Sequence, residues 1–329
     1  MRQVATLAGV SHQTVSRVIN GHPNISDKTR RRVLEVIETL NYRPNSAARA
    51  LASRRSNRIG VLVDSASQYG PNSTLRAVED VARRTGFSVS SITESEDRAI
   101  SPHEAVEHLM AQGIDALCVI APRSSSVDLL REVSDGLPTL VVKAEPDDTF
   151  LTVSVDQRLG AKLAVAHLIE LGHREILHVA GPLDWLDARG REYGWREQML
   201  EANLPTREPV LGDWTADFGY SFARSCGSAP DFTAVFAAND QMALGMLHGF
   251  ASAGVRVPED VSVVGFDDLP ESRHFLPPLT TIRQDFQAVG RRSIENLLAA
   301  VQGGDAPRWS LIPPELVVRE STGPVRPSR

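Results

Sequence analysis

From Arg58 onward, short runs rich in β-branched residues alternate with longer amphipathic stretches. IGVLV, FSVSSI, DALCVIA and PTLVVK come first, then EILHVAG, TAVFAAND and VSVVGFD. Between them lie segments of helical period such as TLRAVEDVARRTG, PHEAVEHLMAQG, RLGAKLAVAHLIELG, GREYGWREQMLEAN and QMALGMLHGFASAG. Strand, helix and strand in repetition build parallel sheets covered by helices on both faces. The strands are too many for one comfortable sheet. The pattern therefore predicts an α/β body of two doubly wound parallel-sheet halves, with a ligand crevice at the carboxyl ends of their strands.

The residues ahead of this body follow another rule. RQVATLA carries apolar Val4, Ala5, Leu7 and Ala8, and SHQTVSRVIN carries Val15, Val18 and Ile19 at helical spacing. Between them Gly9 can take a positive φ and Ser11 can cap the second helix, which makes an all-α helix-turn-helix module. Ser26 is placed to cap a third helix running to Asn41, with Asp27 in its first turn and Val33, Leu34, Val36, Ile37 and Leu40 as its apolar positions. Charge follows the same division. Residues 1–58 hold eleven Lys and Arg against three carboxylates, net +8, within a chain of net −6, so the rest carries −14. A basic module on an acidic body fits a contact with a polyanion, although a solvated basic face has the same composition.

In a helix-turn-helix the second helix enters the DNA major groove with its N-terminal residues at base edges. Here its exposed positions are His12, Gln13, Ser16 and Arg17. Gln pairs bidentately with adenine and Arg with guanine, while Ser and Thr reach base edges or phosphates. At this point VATLAGVSHQTVSRVINGHPNISDKTRRRVLEVIETLNYRPNSAARAL resembles the N-terminal pattern of the lactose and galactose repressor family of bacterial transcription regulators, and the resemblance continues through the chain. It implies a homodimer whose recognition helices read a double-stranded operator with two-fold related halves, through Ser11, His12, Gln13, Thr14, Ser16, Arg17 and Asn20. Family members carry a few more residues ahead of the first helix, where this chain has Met1-Arg2-Gln3, so a start upstream of Met1 stays open.

SAARALASRRS, residues 46–56, has helical composition but is too short to be stable alone, since isolated helices below ~12–15 residues are marginal in water. By resemblance it is the family's hinge helix, folded only on the operator, with Asn45 and Ala48 at the DNA and Leu51 from each protomer wedged at the central base step. The resemblance also implies a periplasmic-binding-protein-like body whose chain crosses between halves near Ser154, Arg283 and Pro313. The expected division is 1–45 for DNA binding, 46–57 for the hinge and linker, and 58–329 for the effector body. Within the body, one half takes about 58–154 and 286–313, and the other about 155–283 and 314–329.

Polar and aromatic residues gather at the strand ends facing the expected crevice. Asp64 follows IGVLV, Asn239 and Asp240 follow TAVFAA, and Asp267 and Asp268 follow VSVVGF, while Arg189 and Arg191 open a helix and Trp214 sits in the loop GDWTADFG. Carboxylate, amide and guanidinium groups around an aromatic plate suit a sugar, whose hydroxyls both donate and accept. Strand-end Asp and Asn equally cap the helices that follow them. The resemblance marks Pro71, Arg191, Trp214, Asn239, Asp267 and Gln284 as effector-binding, with Phe286 close behind. Asp64 and Asp187 stand where the family's lactose-responsive member has serines, so extra acid in the pocket points to a different glycoside.

Catalysis finds little support. Adjacent Asp267 and Asp268 normally point apart, whereas a glycosidase needs two carboxylates ~5–10 Å apart across one bond. Neither a nucleophile motif, a phosphate loop nor a metal-ligand spacing appears, so no cofactor and no metal are expected. Cys118 and Cys226 are too few for a disulfide framework, and neither a secretory signal nor a membrane span is read from the chain. The expectation is a cytoplasmic, nucleoid-associated, non-enzymatic regulator, a repressor released from a palindromic operator by a sugar or glycoside. A corepressor-dependent regulator binding a purine or another metabolite, or a sugar-binding protein without DNA function, is the alternative. The chain ends at TGPVRPSR without tetramerising heptads, which makes a dimer the expected assembly.

Overall fold

The computed structural model describes residues 1–19, 22–42, 55–65, 67–93, 101–120, 123, 127, 130–131 and 136–325. Asn20, Asn45, Ala48 and Leu51, with the expected hinge helix, lie outside the described residues. The chain forms two compact units, Met1–Ser56 and Asn57–Arg329.

The first unit holds α1 (Arg2–Leu7), α2 (His12–Ile19) and α3 (Asp27–Thr39). Gly9 turns the chain between α1 and α2 at φ +59°, and the Ser11 hydroxyl accepts the Thr14 backbone N–H at 3.1 Å. Ser26 caps α3 by accepting from the Thr29 N–H. Val4, Ala5, Ala8, Val15, Val18 and Val33 form the small core, walled by Val36, Ile37 and Leu40. Two of the apolar positions read from the sequence stay outside this core. Leu34 is 48% exposed and Leu7 61% exposed. Each lies about a third of a turn away from the buried face of its helix, which on α3 is set by Val33, Val36, Ile37 and Leu40.

The second unit contains two six-stranded sheets. The first comprises β1 (Arg58–Val63), β2 (Ser88–Thr93), β3 (Ala116–Ile120), β4 (Thr139–Val142), β5 (Leu151–Val155) and β11 (Trp309–Ile312), in the order β11-β5-β4-β3-β1-β2. The second comprises β6 (Ile176–Ala180), β7 (Val210–Leu211), β8 (Ala234–Ala237), β9 (Ser262–Asp267), β10 (Thr280–Arg283) and β12 (Glu315–Val317), in the order β12-β10-β9-β8-β6-β7. All pairings are parallel except β10 with β12, where Ile282 faces Leu316. Central strands are buried on both faces, as a parallel sheet covered by helices requires, so β3 reads as a continuous apolar run and β6 as one interrupted only by buried His178.

Seven helices cover the sheets among the described residues: α4 (Tyr69–Arg84), α5 (Pro102–Ala111), α6 (Gln157–Glu170), α7 (Leu186–Glu201), α8 (Ala216–Ser225), α9 (Asp240–Ala253) and α10 (Phe286–Val301). Helices α4 and α10 pack together over the first sheet, and α6 and α7 pair beside the second, as do α8 and α9. The chain passes between sheets after β5, after β10 and between β11 and β12. Ser154 itself is buried within β5, so the first passage falls just beyond it, at Asp156. Helix α7 begins at Leu186, earlier than the Arg189 and Arg191 start read from the sequence.

Candidate functional site

On α2 the side chains divide as a groove-reading helix needs. Val15 and Val18 are buried, Thr14 and Ser16 are half-buried, and Ser11, His12, Gln13 and Arg17 are exposed. Ser11 is committed to its cap, its hydroxyl also lying 2.9 Å from that of Thr14. His12, Gln13 and Arg17 therefore form the outward polar face.

In the second unit the strand ends of the two sheets meet at a cleft with about 640 Å³ of atom-free space, mouth included. Pro71, Asp187, Arg191, Trp214, Asn239, Asp267 and Gln284 all line it. Arg191, only 5% exposed, is the hub. Its Nε donates to Gln157 Oε1 at 2.8 Å, one Nη donates to the Ala238 carbonyl, and the other lies 3.6 Å from Asp267 Oδ1. The guanidinium carbon sits 3.9 Å from the centre of the Phe266 ring, which fixes its plane from behind. Gln157 Nε2 donates to Gln284 Oε1 at 2.8 Å, and Gln284 Nε2 donates to Asp267 Oδ1 at 2.6 Å.

Burial pushes the Asp267 carboxyl up to about 6, against the opposing pull of Arg191 and the Gln284 amide. Asp187, partly exposed to the cleft yet closely surrounded by protein, is also raised by desolvation, with Arg191 and the Ala144 backbone amide acting the other way. Behind the cleft, fully buried Asp240 accepts from Ser272, Thr281 and the Leu269 N–H, and burial followed by the charge of Asp267 lifts it to about 7.

Two of the cleft residues have backbone in the left-handed region. Trp214 has φ +72° and Asp267 φ +114°, conformations that cost of order 1–3 kcal/mol in non-glycine residues and cluster at binding sites. Asn239 holds the first in place. Its Nδ2 donates to the Trp214 carbonyl at 3.0 Å while its Oδ1 caps α9 through the Met242 N–H at 2.9 Å, so this one strand-end Asn caps a helix and shapes the pocket together. The Trp214 ring lies over Gly181, where a Cβ would come within 2.2 Å of it. Trp185 meets Trp214 edge-on at 5.6 Å, and Tyr69 meets Phe286 edge-on at 5.8 Å, which gives the cleft four aromatic walls.

Asp64 does not line this cleft. Its carboxylate takes the Ser65 hydroxyl at 2.9 Å and pairs with Arg123 at 3.4 Å. Arg123 also reaches Asp184 at 3.2 Å and pairs by backbone with Trp185, so it ties the end of β1 to the segment leading into α7. Asp268 turns away from Asp267 toward Arg283 and Arg319, which hold its carboxyl below the usual range against burial, and the two neighbouring acids do not converge. Among the described residues no cluster of His, Cys, Asp and Glu could hold a metal, and no helix is long and apolar enough to cross a membrane.

Residues 1–45 match the family model for bacterial regulatory proteins of the lacI family, and residues 165–322 match a periplasmic binding protein-like domain. The lactose operon repressor of Escherichia coli (strain K12) is 35% identical over 97% of this chain and 89% of its own length. The chain belongs to the lacI family. The transcriptional repressor PurR of Mannheimia succiniciproducens is 33% identical over 98% of both chains. A crystal structure of the lac repressor dimer bound to operator and the anti-inducer ONPF superposes with a TM-score of 0.84 at 34% identity, covering 97% of this chain and 98% of that one. The regulator CelR in complex with cellobiose gives a TM-score of 0.73 at 32% identity, with the same coverage.

Several residues that build the cleft of this lacI-family chain were not read from the sequence. Gln157 is the connecting member of the Arg191 network, and Tyr69, Thr74 and Trp185 line the walls. Gln157 opens α6 immediately after the first passage between sheets, and a polar first-turn residue carries no local mark of such a role. Trp185 stands just ahead of the segment DARGREYGW, and its nearness in the chain to Arg191 is the available signal.

Proposed function

We propose that this lacI-family chain is a cytoplasmic, sequence-specific transcriptional repressor that binds a palindromic operator as a homodimer and is released when a sugar-like effector enters the cleft. In this reading His12, Gln13 and Arg17 read base edges. Arg191, Asp267, Gln284, Asp187, Asn239, Trp214 and Pro71 contact the effector. Residues 1–45 form the reading domain, 46–57 the linker and 58–329 the effector body.

The observation that carries the reading is the 2.8 Å hydrogen bond between Gln157 and Gln284 inside the cleft. Gln157 follows one passage between the two sheets and Gln284 stands at another. Both are bonded to the Arg191 and Asp267 pair. A ligand that draws on Arg191 or Asp267 therefore acts directly on two of the three connections about which the halves turn. Allosteric coupling of this kind is reciprocal and typically amounts to 1–3 kcal/mol.

The test begins by selecting duplexes from a random pool with the full-length protein. Sugars, glycosides and purines are then titrated against the selected duplex by fluorescence anisotropy. The expected result is a two-fold symmetric site whose affinity falls about 5- to 150-fold with one class of sugar, with the sugar's own affinity falling by the same factor when operator is present. A purine that tightens operator binding would reverse the sign and make the effector a corepressor. Failure to prefer any duplex over random DNA would overturn the reading.

A further inference from the structure

Hydrogen-bonding capacity in the cleft is unevenly committed. The three guanidinium nitrogens of Arg191 each face a protein oxygen, from Gln157, Ala238 and Asp267. The amides of Gln157, Gln284 and Asn239 have both ends engaged. What is left open is the indole N–H of Trp214, a single donor, and acceptor capacity on carboxylates. Among the described residues no hydrogen bond reaches Asp267 Oδ2, and Asp187 meets only the Ala144 amide as a hydrogen-bond partner. Two carboxylates thus share a cleft with one guanidinium that already has its own oxygens, and the walls are the rings of Tyr69, Trp185, Trp214 and Phe286. Aromatic faces attract cations, and a charge-assisted hydrogen bond to a carboxylate is about twice as strong as a neutral one.

We propose that the effector carries a protonated amine among ring hydroxyls, an amino sugar, with the ammonium seated between Asp187 and Asp267. This rests on the cleft being the effector site. A hydroxyl at the same position brings one donor and no charge, whereas an ammonium brings three donors and balances the second carboxylate. The amine therefore discriminates where a neutral sugar does not. The surrounding amides serve to hold the two acids and Arg191 in place for it.

The experiment is titration calorimetry on the full-length protein with matched pairs, galactosamine against galactose and glucosamine against glucose, with the N-acetylated amines as uncharged controls. The expected result is that one amine binds about tenfold or more tightly than its neutral partner, and that Asp187→Asn brings the pair level. Asp187→Ser serves as a second variant should Asn perturb the fold. A neutral sugar binding as tightly as its amine, a preference that survives both substitutions, or absence of any amine binding would overturn the inference. The same amines are run against operator-bound protein by anisotropy. Amine binding with no change in operator affinity supports this ligand chemistry while refuting the proposed release, so the two readings fail separately.

Discussion

Asp267→Asn should stabilise the body of this protein while removing its response to effector. The Asp267 carboxyl is held at about 6, against an ordinary value of 3.8, chiefly because it is buried. The folded state thus binds this proton more tightly than the unfolded chain does. The associated stability is fully present below about pH 4 and is lost as pH rises through 6. A difference of about two units at 1.36 kcal/mol each puts the penalty for ionised Asp267 at roughly 3 kcal/mol above pH 7. Asn carries no charge to desolvate and still accepts the Gln284 amide through its Oδ1. Against this, Arg191 loses a counter-charge at 3.6 Å but keeps Gln157, the Ala238 carbonyl and the Phe266 ring. Buried Asp240, which Asp267 helps to raise to about 7, is relieved as well. The net expectation is a gain of about 1–3 kcal/mol at pH 7.5 that shrinks toward zero by pH 4.5. All four tryptophans lie between residues 185 and 309, so urea unfolding followed by tryptophan fluorescence reports on the body alone. The same variant should bind effector at least about tenfold more weakly, having lost one charged acceptor. A variant less stable than wild type at pH 7.5, or one whose advantage is the same at both pH values, would refute the reasoning.

Three further outcomes follow from the other parts of the molecule. Operator affinity should fall by about 10³-fold or more between 50 and 200 mM salt if six or more phosphates are neutralised, and a flat salt response in a gel shift would count against the basic first unit as the DNA contact. Arg17→Ala should relax base preference at one position in each half-site, at about 1–3 kcal/mol of discrimination, whereas unchanged preference in a mutant-site panel would remove Arg17 from the reading face. Gly245→Ala should destabilise the body by about 1–3 kcal/mol or more, because α9 crosses α8 so closely that a Cβ there would lie 1.9 Å from the Ala216 carbonyl oxygen. Backbone cannot swing aside as a side chain does, and a change below about 0.5 kcal/mol in the same urea assay would contradict the close packing.

The strands legible in the sequence are mostly those with near-continuous apolar runs, and β1, β3, β8 and β9 owe that to burial on both faces, whereas β2 alternates Ser with Val and Ile and β6 is interrupted by buried His178. Strand β5 interleaves Thr152 and Ser154 with its apolar residues, although both are buried. Strands β10, β11 and β12 are three or four residues long and take their identity from neighbours far away in the chain, as Trp309 beside Thr152 and Leu316 beside Ile282 show. Helix α10 buries Ser293 and Asn296 along with Val289, Gly290, Ile294 and Leu297, so two of its six buried positions are polar and its period is hard to see. In each case the missing information is the partner surface, which local composition does not encode.

The site divides along the same line. That strand ends converge on a cleft follows from topology, and Asp267 and Asn239 do line it, with Arg191 reaching it from α7. Asp64 stands at the end of β1 by the same rule but meets Arg123, more than fifty residues onward, and is not among the residues that line the cleft. Gln157 shows the converse. Nothing in its neighbourhood distinguishes it from an ordinary first-turn glutamine, yet it holds Arg191 with one end and Gln284 with the other. Sequence position identifies which residues stand near the cleft, whereas in the proposed mechanism the connections between halves decide which of them turn ligand contact into movement. In this fold the second property belongs to the residues beside the passages between sheets, and a substitution there, Gln157→Leu for example, should uncouple effector binding from operator release more than it weakens either one.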